Sequence, residues 1–155
     1  FDRLVLTPVE FGIAMELMLK VFGAMAILYA LGILPVERAD YLGLMGATFM
    51  GTFISPLLIP WIPGRAFSLK GMVTGLVWAR AAGLFVFVRG NANWLQFFSY
   101  MLILPSLSAF FTMNFTGSST YTSLSGVEKE MKAALPLIIA ALAAGALIRI
   151  ASYFI

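Results

Sequence analysis

Polar residues punctuate this chain instead of alternating with apolar ones. Runs such as LPLIIAALAAGALI, at 135–148, are apolar on every side of a helix, whereas the strands of a membrane barrel alternate apolar and polar over about ten residues. A barrel is therefore excluded. Crossing a hydrocarbon layer of ~30 Å takes about 20 mostly apolar residues per helix, and five stretches reach that length: about 9–34, 41–62, 69–88, 94–115 and 127–155. The pattern predicts an all-α integral membrane protein, a bundle of five transmembrane helices forming one domain over residues 1–155.

The interruptions define where each span should stop. The first is strongly apolar only from Val21 and gives way at Pro35 to a short polar turn with Glu37, Arg38 and Asp40. Pro56, Pro60 and Pro63 crowd the last third of the second span, which should kink or end there. Arg89-Gly90-Asn91 closes the third, Pro105 should break or bend the fourth, and Pro136 lies near the start of the fifth. Before the first span, Thr7-Pro8-x-Glu10 has the form of a helix start. Glu10, Glu16 and Lys20 make that segment amphipathic enough to lie partly in the membrane interface.

Composition agrees. Hydrophobic residues make up 61% of the chain and charged residues 11%, with a mean hydropathy of +0.97, far from the balance of a soluble domain. Ten Lys and Arg against seven Asp and Glu are too sparse for a nucleic-acid footprint. The excess charge reads as topology. Arg3, Lys20, Arg65, Lys70, Lys129 and Lys132 fall on one side and Arg38, Arg89 and Arg149 on the other, which places the N-terminus in the cytoplasm of a cell whose inner membrane holds the chain. Trp61, Trp78, Trp94, Tyr41, Tyr100 and Tyr153 are read for the most part as interfacial anchors.

The chain contains no Cys and no His. That removes disulfides, thiolate nucleophiles, Cys-ligated metals and the usual general base. No catalytic residue and no metal ligand is assigned. The chain begins at Phe1, and the expectation is a piece of a longer protein whose reactive chemistry lies upstream.

Two features rise above the apolar background. Arg80 lies near the centre of the third span, where an unpaired charge costs several kcal/mol. Glu16 is the expected partner, with Lys20 one turn further on the same face. These three residues form either an intramembrane polar path or a buried bridge that fixes helix packing. The second feature is the polar stretch from Met113 to Lys132, with seven Ser or Thr between Thr116 and Ser125, flanked by Gly117 and Gly126. Ser125-Gly126-Val127-Glu128 fits a capping box with Ser125 as the N-cap. The stretch could dock a soluble domain or cradle an anion; its hydroxyls could equally do no more than cap the flanking helices.

The segments DRLVLTPVE, from Asp2 to Glu10, and NFTGSSTYTSLSGVEKEM, from Asn114 to Met131, resemble the C-terminal membrane domain of the mercury-methylating corrinoid proteins, relatives of the corrinoid iron–sulfur protein of the acetyl-CoA pathway. The resemblance runs in order over essentially all of the chain. Proteins of that family carry an N-terminal cobalamin-binding domain in which the Cys of an Asn-Val/Ile-Trp-Cys-Ala-Ala-Gly-Lys cap helix ligates cobalt, and transfer methyl from methylcobalamin to Hg(II). A folate-dependent donor supplies the methyl group, and a ferredoxin-like iron–sulfur protein re-reduces the corrinoid. This chain lacks that domain and any Cys. The resemblance thus implies a membrane anchor that orients an upstream corrinoid methyltransferase, with no cofactor bound here. It also implies that Thr116, Gly117, Ser118, Ser119, Thr120, Ser123 and Gly126 meet the upstream domain or a partner. The alternative is a small permease or channel subunit using Glu16, Lys20 and Arg80; a passive platform for partner subunits is a third reading.

Overall fold

A computed structural model of the chain describes residues 37–62, 66–88, 93–117 and 124–154, together with Glu16, Leu19, Lys20, Gly23 and Ile27. Every described element is helical. In chain order they are α1 (Arg38–Phe49), a π-helical turn (Met50–Ile54), α2 (Ser55–Leu58), α3 (Phe67–Val88), α4 (Trp94–Gly117) and α5 (Leu124–Phe154). Four helical stretches are long and apolar enough to cross a membrane: Arg38–Leu58, Phe67–Val88, Trp94–Asn114 and Lys129–Phe154. The chain is thus a multi-pass helical protein by length and composition. The first of the five expected spans, about 9–34, lies almost wholly outside the described residues.

Short connections fold the four stretches up and down, so α1, α3, α4 and α5 alternate in direction. Two bundle ends result. One gathers the start of α1, the end of α3, the start of α4 and the end of α5; it is called here the Asp40 end. The opposite one, with α2 and the starts of α3 and α5, is the Glu130 end.

Helix boundaries depart from the sequence reading at definable points. Glu37, Arg38 and Asp40 do not form a separate turn: Arg38 and Asp40 are in the first turn of α1, with the Glu37 amide donating to Asp40 Oδ2 at 2.8 Å. This carboxylate at a helix start satisfies an otherwise unpaired N–H. The prolines act as expected in the first stretch, where α2 ends at Leu58 before Pro60. Pro105, by contrast, lies inside an unbroken α4, and Ser106 Oγ donates to the Leu102 carbonyl at 2.7 Å in the same turn. Hydroxyls of this kind help a membrane helix tolerate proline. The last helix begins at Leu124, so Ser125 lies within its first turn and is not the N-cap.

α4 is the hub. Of its most apolar window 56% is buried, against 11% for α5. Small residues let α3 approach it: Gly71, Gly75, Ala79 and Gly83, each four apart, are all buried in the small-xxx-small manner of membrane helices. A Cβ on Gly75 would lie 2.6 Å from Pro105 Cα and 2.7 Å from Ser108 Cβ. Nothing larger than hydrogen fits there without separating the helices. Ala47, Ala79, Val86, Tyr100 and Leu104 form one apolar cluster, and Ala109, Met113 and Ile138 form another that seats α5 on α4.

Candidate functional site

The most polar buried site sits at the Asp40 end. Asp40, on α1, accepts from Arg149 of α5 through Nη2 to Oδ2 at 2.9 Å and Nε to Oδ1 at 3.3 Å. Tyr100 of α4 donates its hydroxyl to Oδ1 at 2.7 Å, and the Glu37 amide supplies a fourth donor. A carboxylate offers about four lone-pair positions. All are taken. Arg149 is itself held further, by Nη1 donating to Ser152 Oγ at 3.1 Å and by Glu37 at 3.8 Å, while Gln96 Nε2 lies 3.4 Å from the Tyr100 oxygen. An ion pair this well hydrogen-bonded can exist at membrane depth, where either charge alone would be costly. A saturated carboxylate, however, is not free to act as a general base or to bind a cation.

The second polar region runs through the middle of the bundle and contains hydroxyls instead of charges. Ser55 bonds Thr74, and Thr74 lies 3.4 Å from Ser108. Thr112 Oγ1 reaches the Gly51 carbonyl at 3.0 Å and its own Ser108 carbonyl at 2.8 Å. The Gly51 carbonyl belongs to the π-helical turn, and π turns disturb the regular backbone bonding of a helix. Thr112 supplies a donor to that turn from the neighbouring helix. Thr48 and Thr52 bond back onto their own helix, at 2.9 and 2.8 Å. Among the described residues no buried side-chain polar atom lacks a partner, and no group of three or more His, Cys, Asp or Glu could hold a metal.

At the Glu130 end two long side chains hold helix termini in place. Glu130 Oε1 accepts from both the backbone N–H and the hydroxyl of Ser68, each at 2.7 Å, capping α3 from α5. Lys70, buried on α3, donates to the Ile59 carbonyl at 2.7 Å and so ties down the end of α2.

The residues singled out from the sequence fall elsewhere. Glu16 and Lys20 form the expected i,i+4 pair at 2.8 Å, both well exposed. Arg80 is exposed on α3, and no described contact joins it to that pair. Thr116, Gly117 and Gly126 belong to helices, so part of the expected connector extends α4 and α5; Ser118, Ser119, Thr120 and Ser123 lie outside the described residues. Trp78 and Tyr100 are not interfacial anchors. Trp78 Nε1 donates to the Gly43 carbonyl of α1 at 2.9 Å, and Tyr100 belongs to the Asp40 network.

Reasoning from sequence missed Asp40, Arg149 and Tyr100 as a unit. Local pattern assigns Asp40 to a connector and makes Arg149 a topology marker. The available signal was that Arg149 stands inside the 127–155 span, six residues before its end, where an ionisable side chain either pairs with an acid or reaches for the interface. No family model, curated protein or solved structure matches this chain.

Proposed function

We propose that the chain is the membrane-anchoring and orienting domain of a corrinoid-dependent methyltransferase resembling the mercury-methylating proteins, which transfer methyl from methylcobalamin to Hg(II). The observation that carries this reading is the Asn114–Met131 motif, which joins two helices of a bundle whose described buried polar side chains are all engaged. Such an interior supplies rigidity and leaves no reactive group over. The residues present do not fit a corrinoid: with neither Cys nor His in the chain, it offers cobalt no thiolate or imidazole, and no step of methyl transfer runs through it.

In this reading the chain lies in the inner membrane with its N-terminus in the cytoplasm. The Glu130 end then faces the cytoplasm, and the Thr116–Gly126 connector faces the upstream cobalamin-binding domain and its ferredoxin-like reductant. Glu130, by capping Ser68 from within the motif, fixes the base of that connector against α3. The permease alternative gains no support from the described residues, which leave Arg80 apart from Glu16 and Lys20.

The natural coding sequence upstream of Phe1 tests the proposal. A cobalamin-binding domain with a Cys-containing cap helix is expected. In that parent protein, deletion of residues 1–155 should release the corrinoid domain into the soluble fraction. An upstream sequence encoding no such domain overturns the proposal.

A further inference from the structure

The π turn holds one residue more than an α-helical turn would, and the burial pattern on both sides of it depends on that residue. Gly43 and Ala47 of α1, Gly51 of the turn and Ser55 of α2 stand four apart and are all buried. Met45, Phe49, Phe53 and Leu57, also four apart, are all exposed. In a regular α-helix each residue turns about 100°, so every step of four overshoots a full turn by about 40°, and three steps carry Ser55 about 120° round the axis from Gly43. One residue absorbed by the turn removes about 100° of that drift. Gly43 and Ser55 therefore face the bundle together.

Two anchors depend on this phase. On one side of the turn Ser55 bonds Thr74 of α3. On the other, about 16 Å along the axis from Gly51, Asp40 meets Arg149 and Tyr100. Without the extra residue, each residue of α1 would take the place of the one before it. Tyr41 would stand where Asp40 does, and Leu44 where Gly43 packs against Leu104.

Local chemistry favours the π form. The Ser55 N–H donates to the Met50 carbonyl, five residues back. The next residue in that register is Pro56, which has no N–H to give to Gly51. Gly51 is the carbonyl that Thr112 reaches from α4, at 3.0 Å. In the α register the proline ring would press instead on the Thr52 carbonyl, four residues back. The turn is also seated tightly on α4, since a Cβ on Gly51 would lie 2.6 Å from the Ser108 carbonyl oxygen.

We propose that Met50–Ile54 is a register device: the one extra residue it holds fixes the rotation of α1 at which Asp40 meets Arg149. Conversion of the turn to α-helix rotates α1 by about 100° against α2 and releases the ion pair. A change at the middle of the bundle is thereby felt at the Asp40 end. The device belongs to the bundle itself and does not rest on the methyltransferase reading.

Insertion and deletion separate this device from ordinary helix, in which adding and removing one residue are equally disruptive. Removal of Phe53, an exposed residue of the turn, should let the stretch close into α-helix with both anchors in place. An Ala inserted after Phe53 should break one of them. Both length variants carry Pro56→Ala, which restores an N–H and removes the ring clash from the comparison. Steric trapping in bicelles, as a double-mutant cycle on Asp40→Ala and Arg149→Ala, reads the outcome. The deletion variant should keep a coupling of at least about tenfold in the folding constant, and the insertion variant should fall below about twofold or fail to fold. Equal loss in both, including failure of both to fold, overturns the proposal, and so does equal retention. A second readout keeps the chain length intact. With an isotope label in the Gly51 carbonyl, Thr112→Val should shift the labelled amide I band, and the same label at Thr52 should not move. An unshifted Gly51 band contradicts the π register on which the device depends.

Discussion

The Asp40 end and the middle of the bundle solve the same problem with different materials. In the middle, glycines bring α3 and α4 so close that a Cβ on Gly71 would lie 2.8 Å from Ala109 Cα, and short hydroxyls suffice to bridge helices. At the Asp40 end α1, α4 and α5 meet through long side chains, and a single carboxylate gathers donors from two of them. Backbone proximity lets many weak bonds share the load. Between α1 and α5, which meet through long side chains at the Asp40 end, one charged pair concentrates it. α5, the least buried of the helices, is the one held in this second way.

The contrast sets the order of mutational effects. Asp40→Leu, which leaves the Arg149 charge buried without its partner, should destabilise the bundle by about 3 kcal/mol or more, read as loss of reversible folding in a steric-trapping assay in bicelles. Asp40→Leu combined with Arg149→Met should recover most of that loss. Failure to recover would mean that Asp40 acts chiefly through Tyr100. Gly75→Val comes next, at about 1–3 kcal/mol, because the added atoms must push Pro105 and Ser108 apart from α3. An unchanged separation between spin labels on α3 and α4 would break the close-packing half of the comparison. Thr112→Val should cost only about 0.6 kcal/mol, the usual size of one interhelical bond in a membrane, with the change in hydrogen exchange confined to the π turn around Gly51. Smallest is Glu130→Gln, below about 0.5 kcal/mol, since the amide oxygen still accepts from Ser68; faster proteolysis between α4 and α5 would be its most sensitive sign.

The same contrast explains what could be read in the sequence. Span positions 41–62, 69–88, 94–115 and 127–155 were legible within a few residues, because apolar length and proline are local properties. Pro56 and Pro60 announced the end of α2 for the same reason. The π turn was not legible, since nothing in MGTFI distinguishes it from ordinary helix until Thr112 arrives from α4 to meet Gly51. The Gly71, Gly75, Ala79 and Gly83 stripe stands in the sequence at the four-residue spacing that close helix contact needs. Asp40 and Arg149 are 109 positions apart, and no local pattern links them. Each made sense alone as a loop acid and a topology marker; only the packing of α5 on α4 makes them a pair.

The central claim is that a saturated ion pair ties α5, which packs on α4 through apolar contact, to α1. A double-mutant cycle on Asp40→Ala and Arg149→Ala, measured by steric trapping in bicelles, tests it most directly. The account predicts a coupling of about 1.5 kcal/mol or more between the two sites. Strictly additive losses would contradict it.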